Sequence, residues 1–321
     1  MKERMFFDVG VGKSEIKESY DVVIVGGGPA GLTAAIYTRQ SGLSALVVEK
    51  DLEGGYVNLT ELVENYPGFT SIRGEELGSK MVEHALHFGA ELVTDNVEKI
   101  QVEGKDKLVH LSSGKTVRAR VVIVATGSTP RKLGVPGEER FRARGVSYCA
   151  TCDGHFFKDG HVVVVGGGNS AFDESLFLAK MVRKITVVHI LEKPTADARL
   201  REKVFANEKI EYRPLTELIR IEGNEKVERV VLKDLKKNRE YTMDVDGVFI
   251  FVGMNPNSEL LKDLADLDEW GYVITDENME TKTPGIFAVG DVRSKGLRQI
   301  ITAAADGAIA ASIAARKYFE T

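Results

Sequence analysis

Residues 149–157, Cys-Ala-Thr-Cys-Asp-Gly-His-Phe-Phe, hold the chain's two cysteines, with an acid directly after Cys152 and a histidine at 155. Three chemistries use such a pattern. A structural crosslink over a two-residue spacer closes a tiny loop and constrains the unfolded chain very little. Zinc would take Cys149, Cys152, His155 and His161, four ligands within 13 residues. His161, however, opens the run HVVVV, and a strand there would point it into or away from a sheet rather than back at the loop. Redox exchange is the third: a Cys-x-x-Cys at a helix start lowers one thiol's pKa, so the pair exchanges as a unit. Redox chemistry is the reading carried forward, and zinc is the alternative it must beat.

Two glycine clusters read as dinucleotide turns. YDVVIVGGGPAG fits G-x-G-x-x-G at Gly26, Gly28 and Gly31, and HVVVVGGGNSA fits G-x-G-x-x-A at Gly166, Gly168 and Ala171, an offset of 140 residues. Each follows a β-branched run and precedes a helical pattern, the context in which glycines let backbone N–H groups approach a pyrophosphate. Glu49 ends the next strand 23 residues after Gly26, where an acid accepts hydrogen bonds from an adenosine ribose. His189 stands at the same spacing after Gly166, so the second copy lacks that carboxylate. Further along, a buried strand leads to Thr126-Gly127, a sharp turn beside a ligand. A similar strand ends near Gly253, and a short one leads to Gly290-Asp291 ahead of a long alanine-rich helix.

The whole chain must position these turns. Its 321 residues, 43% hydrophobic and 28% charged, exceed what a single core organises, so two domains are expected. A net charge of −5 without a basic tract leaves no footprint for nucleic acid or an anionic membrane surface. The amino-terminal residues are charged and lack an apolar leader core, and no run of about 18 apolar residues occurs. A cytosolic protein is the expectation, and there a close cysteine pair is catalytic or metal-binding more often than structural. Trp270, the one tryptophan, lies at an expected turn into a strand and receives no role.

Together these motifs resemble the low-molecular-weight thioredoxin reductases. The resemblance runs from Tyr20 to the final helix, on Gly26–Gly31, Glu64-Asn-Tyr-Pro-Gly68, Ala125-Thr-Gly127, CATCDG, Gly290-Asp291 and Arg298-Gln299-Ile300. It implies an α/β fold of two Rossmann-like, three-layer dinucleotide-binding domains, the second inserted into the first. Residues 1–128 and 254–321 would bind FAD; residues 129–253 would form a nicotinamide-binding-like domain carrying the redox pair, joined by a hinge. It further implies that Asp291 meets the ribitol chain, that Asn65, Arg298, Gln299 and Ile300 surround the flavin, and that Cys152 faces it. Cys149 would attack a partner disulfide, and Asp153 would serve as general acid, its other reading being a helix cap. Thioredoxin or a thioredoxin-like protein as partner, and a homodimer, follow from the resemblance alone.

One segment departs from the family pattern. Where NADPH-using members carry His-Arg-Arg-x-x-x-Arg, this chain has His189-Ile-Leu-Glu-Lys-Pro-Thr195. The arginines that grip a 2′-phosphate bidentately are absent, and Glu192 would repel it by about 1 kcal/mol at 4 Å in water. Arg199 and Arg201 follow on an expected helix and read as solvated surface. NADH is therefore expected over NADPH. A second reading has the flavin reduced by ferredoxin or another carrier, and a remote third is a non-catalytic zinc or flavin-binding module.

Overall fold

Short runs of valine and isoleucine, apolar on both faces, build the strands, and glycine clusters end them. The computed structural model describes residues 16–60 and 63–320; the side chains of Thr151 and Cys152, and the amino-terminal segment read above, lie outside the described residues. Two units divide the chain: residues 1–129 with 255–321, and residues 130–254.

The first unit starts with β1 (Ser19–Val25), α1 (Pro29–Gln40), β2 (Ala45–Glu49), α2 (Gly74–His87), β3 (Glu91–Thr94), β4 (Val97–Glu103), β5 (Asp106–Leu111), β6 (Thr116–Val124) and β7 (Ser128–Pro130). The second holds β8 (Val146–Ser147), α3 (Ala150–Asp153), β9 (His161–Val165), α4 (Asn169–Leu178), β10 (Lys184–Val188), α5 (Ala198–Phe205) and β11 (Ile210–Arg213). It continues through β12 (Thr216–Gly223), β13 (Val227–Asp234), β14 (Arg239–Asp244) and β15 (Gly247–Ile250). The chain returns through β16 (Met254–Pro256) to β17 (Ile286–Ala288) and α6 (Ile300–Tyr318).

In the first unit β3, β2, β1 and β6 are parallel neighbours in that order, β17 pairs parallel with β6, and β5 and β4 extend the sheet antiparallel. Side chains alternate between two cores. Val22, Ile24, Val47, Val121 and Ile123 face α1, α2 and α6, while Val23, Val25, Val48, Val122 and Val124 face the other way. Small residues let α6 lie close on α1: a Cβ at Gly307 would stand 2.1 Å from the Ala30 carbonyl oxygen.

The second unit repeats the plan with a parallel sheet ordered β11-β10-β9-β15-β8. Val162 and Val164 face α4 and α5; Val163 and Val165 face a second, antiparallel sheet ordered β12-β13-β14. This gives helix, sheet and sheet as three layers. The α/β class and the insertion of one Rossmann-like domain in another are as the sequence reads. Two local details differ. β10 stops at Val188, one residue short of His189, and the stretch after Trp270 makes isolated bridges from Val273 rather than a strand.

Candidate functional site

The first glycine turn joins β1 to α1, and its three glycines have different reasons. Gly26 has φ +109°, and a Cβ there would come 2.4 Å from the Ala125 carbonyl oxygen. One at Gly31 would come 1.9 Å from the Gly26 oxygen, so the helix packs directly on the turn. At Gly28 the nearest atom is 4.0 Å away, so nothing within the chain requires a glycine there and the space beside it is open. Glu49, at the end of β2, accepts the Gly27 N–H at 2.6 Å and the Asp51 N–H at 2.9 Å. Its carboxylate is thereby fixed beside the turn with lone pairs to spare.

Residues far apart in sequence converge on the same unit. Asp306 of α6 is buried; it accepts Arg293 at 3.1 Å, Lys295 at 2.9 Å and the Gly290 N–H at 3.0 Å, which pins the Gly290-Asp291 turn. The Oδ1 atom of Asp291 is buried with no hydrogen-bond partner, and burial raises this carboxyl's pKa above its ordinary value. Arg298 lays its guanidinium 3.8 Å over the Tyr272 ring, and its Nε is likewise buried and unpartnered. Asn65 donates to Gln299 at 3.1 Å, and Gln299 caps α6, which starts at Ile300. Thr126 gives its hydroxyl to the Asn257 carbonyl at 2.7 Å, and Gly127 turns with φ +64°. A dinucleotide with a polyhydroxyl chain fits this donor set. Asp291 has an acceptor waiting for a hydroxyl, Glu49 stands where a ribose hydroxyl would come, and Gly28 leaves space.

In the second unit Gly166 has φ +136°, and a Cβ there would meet the Phe251 carbonyl oxygen at 2.2 Å. Gly168 caps α4 with an extended backbone, and Ala171, one turn in, is buried. The segment after β10 folds over this turn: Thr195 and Ala196 donate to the Gly167 carbonyl at 2.8 and 3.0 Å, and Asp197 exchanges bonds with Asn169. The turn thus leaves the start of α4 as a candidate place for a pyrophosphate.

Cys149 is disulfide-bonded and sits just before α3. Its N–H donates to Ser147 Oγ at 3.0 Å, and its carbonyl accepts the Asp153 N–H at 3.2 Å, closing one helical turn around the pair. The Cys152 side chain lies outside the described residues. Asp153 makes no capping bond to the 3-10 turn Gly154–Phe157, so the cap reading gains nothing. His161 bonds Thr186 Oγ1 at 2.9 Å across β9 and β10, and among the described residues no group of three His, Cys, Asp or Glu could hold a metal.

The sequence profile of the pyridine nucleotide-disulphide oxidoreductases matches residues 20–307. Thioredoxin reductase of Bacillus subtilis is 47% identical over 295 residues, 91% of this chain and 92% of that protein. The crystal structure of Lactococcus lactis thioredoxin reductase superposes with a TM-score of 0.91 at 42% identity, covering 94% of this chain and all of that one. A ferredoxin-flavin thioredoxin reductase from Clostridium acetobutylicum matches with a TM-score of 0.52 at 31% identity, covering 94% of this chain and 99% of that one. The chain belongs to the low-molecular-weight thioredoxin reductase family of pyridine nucleotide-disulphide oxidoreductases.

The segment that follows β10 presents few groups able to grip a phosphate. His189 is buried, bonded through Nδ1 to the Tyr212 hydroxyl at 3.0 Å, and burial lowers its pKa, which favours the neutral ring. Ile190 and Leu191 are exposed at 56% and 49%, and Glu192 is exposed beside them. Arg213, which pairs in register with Val188 on the neighbouring strand, is already held by Glu211 and the Tyr241 hydroxyl. Several polar residues escape sequence reading. Asp306 leaves a faint signal, being the one charged residue between Ile300 and Ala315. Lys295, Tyr272 and Glu174 leave none, because their partners are set by packing.

Proposed function

We propose that this chain is an FAD-dependent disulfide reductase acting on thioredoxin or a thioredoxin-like protein, with NADH preferred as electron donor. The observation that carries it is the disulfide at Cys149, held at the start of a helix that packs on α4 behind the second glycine turn. FAD, when bound, would supply the two electrons that open this disulfide. Gly26, Gly28 and Gly31 would receive its pyrophosphate, Glu49 its ribose, Asp291 its ribitol chain, and Asn65, Thr126, Gly127, Gly290, Arg298, Gln299 and Ile300 would line it. Gly166, Gly168 and Ala171 would receive the donor's pyrophosphate. The Cys149 thiolate then attacks one sulfur of the partner's disulfide and displaces the other, and Asp153 protonates the leaving thiolate. Cys152 attacks the Cys149 sulfur of this mixed disulfide, releasing the partner as a dithiol and restoring the Cys149–Cys152 bond. Two electrons pass to the partner. A homodimer and a cytosolic location belong to the same reading.

The donor preference rests on Ile190, Leu191 and Glu192. The ferredoxin alternative draws support from the similarity to the C. acetobutylicum ferredoxin-flavin thioredoxin reductase. Anaerobic mixing of the flavin-loaded protein with NADH and with NADPH separates them. Faster flavin bleaching by NADH is expected; faster bleaching by NADPH would overturn the preference. Bleaching by dithionite alone would move the donor to ferredoxins. In parallel, Cys149→Ser should still bleach with the donor yet lose all reduction of thioredoxin.

A further inference from the structure

The start of α3 has a charged neighbour that the scheme above leaves idle. Glu174, in the middle of α4, accepts the backbone N–H of Ala150, the residue that follows Cys149. Its other carboxyl oxygen, Oε2, is buried and has no hydrogen-bond partner. Farther along the same contact, a Cβ at Gly154 would meet Leu178 at 3.0 Å and the Met181 sulfur at 3.1 Å, so the residues just after α3 press on the carboxyl-terminal end of α4. The Cys149 sulfur is four covalent bonds from the Ala150 nitrogen, within about 5 Å of it by standard geometry. A carboxylate bonded to that nitrogen is therefore a close, fixed neighbour of any charge that forms on the sulfur.

We propose that Glu174 is a positioning residue for the Cys149–Cys152 couple, taking up a proton when the disulfide is reduced and releasing it when the disulfide re-forms. The inference rests on the dithiol reading of the two cysteines. Reduction adds two electrons and one proton to the disulfide, giving one thiol and one thiolate; the second proton goes to the Glu174 carboxylate, which would otherwise oppose the thiolate. On transfer to the partner's disulfide, both electrons leave and Glu174 returns its proton to solvent. The surroundings suit a group poised between two protonation states. Burial, with Asp173 on the same helix, pushes this carboxyl up to about 7, and the Ala150 N–H draws it partly back. Lys203 and Asp197 act on Asp173, Asp153 closes the far end of α3, and β9 and β10 face α4 with valine and isoleucine.

Glu174→Gln keeps an acceptor for the Ala150 N–H and removes the ionisation, so a merely structural role would not respond to it. Full-length, flavin-loaded protein is equilibrated at several pH values with reduced and oxidised dithiothreitol, and free thiols are counted by alkylation. At about pH 5.5 both proteins should be half-reduced at the same ratio; at about pH 8.5 the variant should need a several-fold smaller proportion of reduced dithiothreitol. Proton uptake on reduction near neutral pH should also fall by a fraction of a proton in the variant. Coincident curves at every pH, or a constant offset like that of Glu174→Ala, would overturn the proposal and leave the dithiol reading standing. If alkylation finds no thiols at any ratio in the wild-type protein, the dithiol reading itself falls, and this proposal with it.

Discussion

A carboxyl buried without a full set of partners also affects stability. Glu174 titrates near its ordinary 4.5 in the unfolded chain and at about 7 in the fold. Between those values the folded protein binds more protons than the unfolded one, so stability falls as pH rises through the window. The loss is at most about 3 kcal/mol, from the size of the shift. Glu174→Gln should therefore match the wild type in stability at about pH 4.5 and exceed it at about pH 8 by roughly 1–3 kcal/mol, read as a higher thermal midpoint at the alkaline end only. A midpoint lower than wild type at the alkaline end would contradict this. The sequence gives no sign of Glu174, because an acid on a helix reads as surface until the packing of α3 is known. Glu49 and Cys149 stand out as candidates for the opposite reason. Their spacing along the chain singles them out, whereas the Asn65–Gln299 bond joins residues 234 positions apart.

The two glycine turns look alike in sequence and differ in tightness. Gly31 has no room for a methyl, while Ala171 already carries one and would sit 3.1 Å from a Cβ built on Gly166. Gly31→Ala should push α1 off the turn, cost about 1–3 kcal/mol and yield protein that loses its flavin on gel filtration. Ala171→Gly should cost about 1 kcal/mol and keep its colour; retention of flavin by both variants would show that the first turn is not the flavin cradle. At the donor end, Ile190→Arg with Leu191→Arg places two guanidiniums on exposed positions without disturbing the core. Flavin bleaching by NADPH should then accelerate by about tenfold or more, with NADH little changed, as expected for two bidentate phosphate contacts. An unchanged NADPH rate would mean that these positions do not meet the adenosine end. The parallel strands were legible from their valine runs and the glycines that end them. The antiparallel β12–β14 layer was not, because its strands mix charged and apolar residues and carry no turn motif of comparable strength. β7 and β16 are only three residues each, too short for any periodicity.

At the scale of the molecule, the insertion point is built to close without its insert. Asn257 ties the two segments of the first unit together there: its N–H donates to the Gly127 carbonyl at 3.0 Å and its amide to the Thr126 carbonyl at 2.8 Å. Thr129 adds a bond to the Asn257 side chain at 3.2 Å. The strands through which the chain leaves and returns, β7 and β16, pair with each other, so their ends are already neighbours. Among the described residues, the hydrophobic clusters of this unit draw on its own two segments, with α6 supplying the alanines that cover α1. Joining Thr129 to Asn255 by a short glycine-containing turn should replace a long closure by a local one, because the entropic cost of closure grows with loop length. The shortened protein is expected to fold, to carry one flavin per chain by its visible absorbance, and to reduce no disulfide, because Cys149 and Cys152 are gone. A colourless or insoluble product would show that the flavin site needs residues 130–254 to form, and that the two segments do not make an independent unit.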